Sequence, residues 1–126
     1  MDPAPENTTR LIMTARGEIA RLIDTLPKNI VDHARRVPLS ILPRPPDDMD
    51  GAQSNLMGLF VGDDLRTGVA DGDGFPAQIF IFVENIRAES EENDLTFEQE
   101  VRRTYLHELG HYLGLDEHDL FDRDLD

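Results

Sequence analysis

Residues His107-Glu108-Leu109-Gly110-His111 set two imidazoles four positions apart, with a carboxylate beside the first. On a helix this spacing puts both histidines on one face, close enough to hold a single metal ion. Glu108 then stands where it can take a proton from metal-activated water. The segment that follows, Tyr112-Leu113-Gly114-Leu115-Asp116-Glu117-His118, extends the pattern. Gly114 can adopt the left-handed conformation that ends a helix and swings the chain back. Glu117, three residues further on, is the first choice for a third metal ligand. His118 is the alternative, and Asp116 and Asp119 are nearby oxygen donors. Three protein ligands and one water make an open hydrolytic site, whereas a structural zinc site is closed by four. The chain has no cysteine, so any metal is held by nitrogen and oxygen. Zinc (Zn2+) suits that donor set best, although nickel, cobalt and manganese accept the same donors.

The helix carrying these residues is predicted to start at Thr96. Thr96-Phe97-Glu98-Gln99 has the form of a capping box, with Gln99 at the third helical position. At about 100° per residue, Phe97, Val101, Tyr105, Leu106, Leu109, Tyr112 and Leu113 form one broad apolar arc. His107 and His111 lie nearly opposite its centre. Glu100 and Thr104 share their side, and Glu108 falls between the two regions. Histidines that served only as core residues would sit inside the arc. These sit outside it, so the helix can pack on a sheet while the pair faces a cleft.

Upstream, residues 1–7 read as a polar, frayed terminus. A helix capped by Thr8 or Thr9 is expected through Asp24 or Thr25, with Leu11, Ile12, Ala15, Ile19, Leu22, Ile23 and Leu26 at helical spacing. Pro27 ends it, and a short second helix covers Asn29–Arg35. Val37–Leu42 reads as a strand that Pro38 confines to an edge or to a strand start. Pro43-Arg44-Pro45-Pro46-Asp47-Asp48 is a rigid connector. Leu56–Val61 is a strand whose Gly58 marks a close backbone approach. Gly62–Pro76 is a long loop. Its Asp71-Gly72-Asp73-Gly74 has the look of a calcium loop, but Phe82 occupies the twelfth position where a glutamate is needed, so a turn is expected there. Ala77–Val83, apolar on both faces, is expected to be the central strand. Glu89–Asp94 reads as an acidic connection. The fold class implied is α+β: one domain over residues 1–126, with a three-to-four-stranded mixed sheet packed on an N-terminal helix and a C-terminal active-site helix.

Formal net charge is −14, from 26 acidic and 12 basic residues. Such a field repels nucleic acid and anionic membranes and favours cations and basic peptides as partners. The start Met1-Asp2-Pro3-Ala4-Pro5-Glu6 has no basic segment leading into an apolar core, and so no visible signal peptide. The longest strongly apolar run, Ile79–Val83, is strand-sized. A soluble cytoplasmic protein is the expectation.

His107-Glu108-x-x-His111-x-x-Gly114-x-x-Glu117 resembles the extended metzincin signature, whose last position is usually histidine and in some branches aspartate. The chain is similar to the small bacterial family of minimal zincin-like metallopeptidases. It shares with them its length, the motif near the C-terminus, an N-terminal helix ending in Leu26-Pro27, and a glycine-flanked strand, Gly58-Leu59-Phe60-Val61-Gly62. The resemblance implies a zinc peptidase with His107, His111 and Glu117 on the metal and Glu108 as general base. It also implies an extended peptide or protein substrate lying along an exposed edge strand, with Leu56–Val61 the candidate. Two departures stand out. Glu117 occupies the last motif position, with His118 directly after it. The methionines (Met1, Met13, Met49 and Met57) all precede the motif, so the methionine turn of metzincins is missing. The competing reading is a non-catalytic metal-binding or regulatory interaction domain that retains a zincin-like site; a metal-free interaction domain is a third.

Overall fold

The computed structural model describes residues 4–46, 55–62 and 76–114. Among them are four helices and three strands: α1 (Ala4–Thr25), α2 (Lys28–Arg36), β1 (Leu39–Leu42), β2 (Gly58–Val61), β3 (Gln78–Phe82), α3 (Val83–Glu92) and α4 (Phe97–Tyr112). The strands form one mixed sheet in the order β1-β3-β2. β1 runs parallel to β3, with Leu39 beside Ile79, and β2 runs antiparallel to it, with Gly58 beside Ile81. The architecture is α+β with a three-stranded mixed sheet, as expected. The most apolar strand is the central one. Pro38 stands immediately before β1, where its carbonyl accepts from Ile79 N–H at 3.0 Å and its missing donor costs nothing. None of the described helices is long and apolar enough to cross a membrane.

Cross-strand neighbours share a face of a sheet. Ile41, Ile79 and Ile81 therefore point to one side, together with Gly58 and Phe60, and on that side they meet the helices. Ala15 and Ile19 from α1, Ile86 from α3, and Val101, Tyr105 and Leu109 from α4 close the core around them. Val101, Tyr105 and Leu109 are consecutive positions of the predicted apolar arc, and all three are buried. Burial pushes the Tyr105 hydroxyl up to about 12, so this face of α4 stays uncharged. The helices are also tied together through polar groups. Thr8 Oγ1 donates to Glu84 Oε2 at 2.7 Å, joining α1 to α3. The Glu18 carboxylate receives both Arg21 and Arg102, joining α1 to α4.

Three expectations are corrected. α1 begins at Ala4, so Thr8 and Thr9 lie inside its first turns and do not cap it. Glu89–Asp94 is no mere connection, because α3 occupies it as far as Glu92. That helix follows β3 with no intervening turn residue. Its apolar start, Val83, prolongs the strand's apolar run, while its acidic outer face reads as loop. Val83, Ile86 and Ser90 are its buried stripe. It ends with Asp94 at φ 59, a left-handed position where glycine is usual, and Leu95 N–H reaches back to Ser90 C=O at 3.0 Å. Third, the strands are shorter than expected: Val37 and Pro38 precede β1, Leu56 and Met57 precede β2, and Val83 belongs to α3. The expected turn at Asp71–Gly74 lies outside the described residues, as do Asp47 and Asp48.

α4 opens on the predicted capping box. Gln99 N–H donates to Thr96 Oγ1 at 3.0 Å, and Thr96 N–H donates to Gln99 Oε1 at 2.9 Å. The helix lies close against β2 because Gly58 has no side chain. A Cβ there would come within 2.8 Å of Thr104 Cγ2, 3.1 Å of Glu108 Cγ and 3.2 Å of the Phe80 carbonyl oxygen. Two stability changes are expected. Thr96→Ala should cost about 1 kcal/mol through loss of the cap. Gly58→Ala should cost about 1–3 kcal/mol by wedging the helix from the strand. Urea unfolding of each variant against the parent protein measures both, with an unchanged slope expected.

Candidate metal centre

The histidine pair occupies the last turns of α4, on the side away from Val101, Tyr105 and Leu109. His107 is half-buried and His111 exposed. Their ring centroids are 4.8 Å apart, with the planes at 85°. The helix then stops as its glycine predicts. Leu113 N–H bonds to Leu109 C=O and Gly114 N–H to His111 C=O, both at 3.0 Å, and Gly114 turns left-handed at φ 78. Glu117 and His118, the two candidates for the third ligand, lie outside the described residues, as do Asp116 and Asp119. Among the described residues no three acidic, histidine or cysteine side chains converge. The two imidazoles nonetheless fit zinc: they are neighbouring nitrogen donors on one helix face, and the turn that follows frees the chain to return with another donor.

Glu108 is set differently from the histidines. It is half-buried between α4 and β2, and its carboxylate accepts a hydrogen bond from Phe60 N–H. The register of the sheet explains the contact. Phe82 N–H donates to Met57 C=O at 2.9 Å. In an antiparallel ladder the bonded pairs alternate, so Leu59 and Val61 also face β3, while the N–H and C=O groups of Gly58 and Phe60 face outward. Among the described residues β2 has no strand on that side. Glu108 thus meets the open edge of the sheet. Burial pushes its carboxyl above the usual carboxylate range, and the charge of His111 and the Phe60 N–H pull it part of the way back. Tyr112, which the apolar arc assigns to the core, packs its ring on Phe60 at a centroid distance of 6.0 Å.

Beside this group is a cavity of about 240 Å³. Leu56, Met57 and Gly58 wall it from the strand side, and Glu100, Arg103, Thr104 and Glu108 from the helix side. His107 also reaches it, so the cavity adjoins the metal pair. Helical periodicity put Glu100 and Thr104 on the histidine side but treated that side as open. Both are in fact buried against β2. The legible signal was the i, i+4, i+8 strip Glu100-Thr104-Glu108. The contribution of Phe60 was invisible, because it comes from a backbone group.

No curated protein matches the chain. A family model described as zincin-like metallopeptidase matches residues 34–125, well over half of the chain. The match takes in all three strands and the whole of the histidine-bearing helix, and on it the chain belongs to the zincin-like metallopeptidase family.

Proposed function

We propose that this chain is a zinc-dependent peptidase that hydrolyses peptide bonds, with Glu108 as its general base. The observation that carries this reading is the position of the Glu108 carboxylate. It lies on the helix that bears the histidine pair and bonds to the outward N–H of Phe60 on the edge strand. A peptide adding itself to β2 as a further strand would run past that carboxylate. With the Phe60 N–H held by Glu108, the outward N–H and C=O of Gly58 and the C=O of Phe60 are the groups it would pair with.

His107 and His111 would hold the metal, with Glu117 as the proposed third ligand and His118 as the alternative. Bound zinc supplies Lewis acidity, bringing the pKa of water toward neutral and polarising a carbonyl oxygen. The remaining chemistry belongs to the protein. A Glu108 carboxylate oxygen takes the proton of the attacking water and returns it to the amide nitrogen as the amine leaves. A carboxyl raised by burial is a stronger base than an exposed one, which suits it to take the proton. Phe60 N–H holds the carboxylate toward the strand edge where the scissile bond would lie. The half-buried setting of Glu108, between helix and strand, limits competing solvent around the proton. The acidic balance of the whole chain favours basic peptides as substrates.

The test is metal content together with cleavage of a diverse peptide library. Glu108→Gln should retain zinc and lose cleavage by about 10²-fold or more. A zinc-loaded Glu108→Gln protein that cuts at the parent rate would remove Glu108 from the mechanism. His107→Ala should lose zinc, read by elemental analysis of untagged protein. A fully metallated variant would show that the ligand set is wrong. A parent protein that binds zinc with all four positions filled by protein donors, and cuts nothing, would favour a structural or regulatory site.

A further inference from the structure

We propose that the cavity beside the histidine pair is a specificity subsite for a basic side chain of the peptide, lysine or arginine, with Glu100 as its charged base. This rests on the peptidase reading for the identity of the ligand, a peptide, but the recognition chemistry comes from the cavity alone.

Glu100 is 3% exposed, and its Oε2 has no hydrogen-bond partner among the described residues. Thr104, one turn later, is 6% exposed, and its Oγ1 has none either. Both side chains line the cavity. A buried carboxylate oxygen with unmet acceptor capacity is costly, more so than a neutral group. Arg103, which also lines the cavity, is the cation paired with it, but it comes only to 3.8 Å, beyond hydrogen-bonding distance, and its side chain is about half exposed. A ligand that brings N–H donors to Glu100 Oε2 therefore gains what the described residues do not supply. A charge-assisted bond of this kind is about twice as strong as a neutral one.

The remaining walls select among donors. Leu56 and Met57 are apolar and suit the methylene stem of lysine or arginine, which buries its carbons while its head group finds polar partners. The volume, about 240 Å³, is ample for such a stem and its head group. An aliphatic side chain would fill the same space but leave Glu100 without a donor. An acidic one would meet two carboxylates, Glu100 and Glu108. The cavity is continuous with His107 and Glu108, so the side chain it holds belongs to a residue next to the bond that is cut.

The experiment has a binding arm and a cleavage arm. In the first, zinc-loaded Glu108→Gln protein is titrated with a short peptide carrying lysine at one position, and with the same peptide carrying norleucine or glutamate there. Lysine should bind about tenfold tighter than norleucine, and glutamate weakest. Adding Glu100→Gln should bring lysine and norleucine together. Arg103→Ala removes the competing cation from an exposed position and should widen the gap, so the proposal remains testable if Glu100→Gln fails to fold. In the second arm, the parent protein should cut library peptides with a basic residue adjacent to the cleaved bond. The ratio of kcat/KM for lysine over norleucine should fall about tenfold in Glu100→Gln. Equal binding of lysine and norleucine, or a gap that survives Glu100→Gln and ignores Arg103→Ala, would overturn the subsite. Lysine-selective binding without any cleavage would support the subsite and sink the peptidase reading. Cleavage with no basic preference would do the reverse.

Discussion

The site depends on how closely one helix can approach one strand. α4 lies against β2 with Thr104 and Glu108 seated over Gly58, where a single methyl group would collide with both and with the Phe80 carbonyl. Because the helix is that close, the Glu108 carboxylate reaches Phe60 N–H on the strand's open side. For the same reason Glu100 and Thr104 are carried below the surface, and the histidines are left on the rim. A helix standing a few ångströms further off would place the same residues in water, as an unconnected row of side chains. The glycine supplies no chemistry, yet it sets the distance at which all the others act.

The rest of the described fold holds that contact in place. Val101, Tyr105 and Leu109 anchor the opposite face of α4 against Ile79 and Ile81, and α1 and α3 brace the helix from outside the sheet. The capping box at Thr96 fixes where α4 begins, and Gly114 where it stops. Two residues that could look incidental are thus the bounds within which the histidine pair and the glutamate are registered against β2. Asn85 Nδ2 adds a further tie, donating to Leu56 C=O at 2.8 Å and holding the start of the edge strand to α3. The charged groups around the cavity sit on this frame.

Much of this was legible from residue types and spacing. The α4 start, its apolar arc, the close approach at Gly58, the central position of the 77–83 segment and the left-handed Gly114 all follow from short-range rules, because each depends on a few neighbouring residues. The start of α1 and the existence of α3 did not. In α3 the apolar period runs on from β3 without a break, and its exposed acidic residues resemble those of a loop. Only packing of Val83, Ile86 and Ser90 against the core selects helix there.

By itself the sequence determined the chemistry on offer: two imidazoles four apart, a carboxylate between them, no thiol, a glycine turn, and membership of a family that this pattern shares. Those are properties of residue identity and helical spacing. What tertiary structure decided was which groups meet. It gave Glu108 a backbone partner on the edge strand and turned Glu100 and Thr104 from members of an apparently open helix face into the wall of a cavity. Burial is a relation between elements distant in the chain, and a backbone N–H carries no residue signature. Neither can be read along one helix until the strand that covers it is in place.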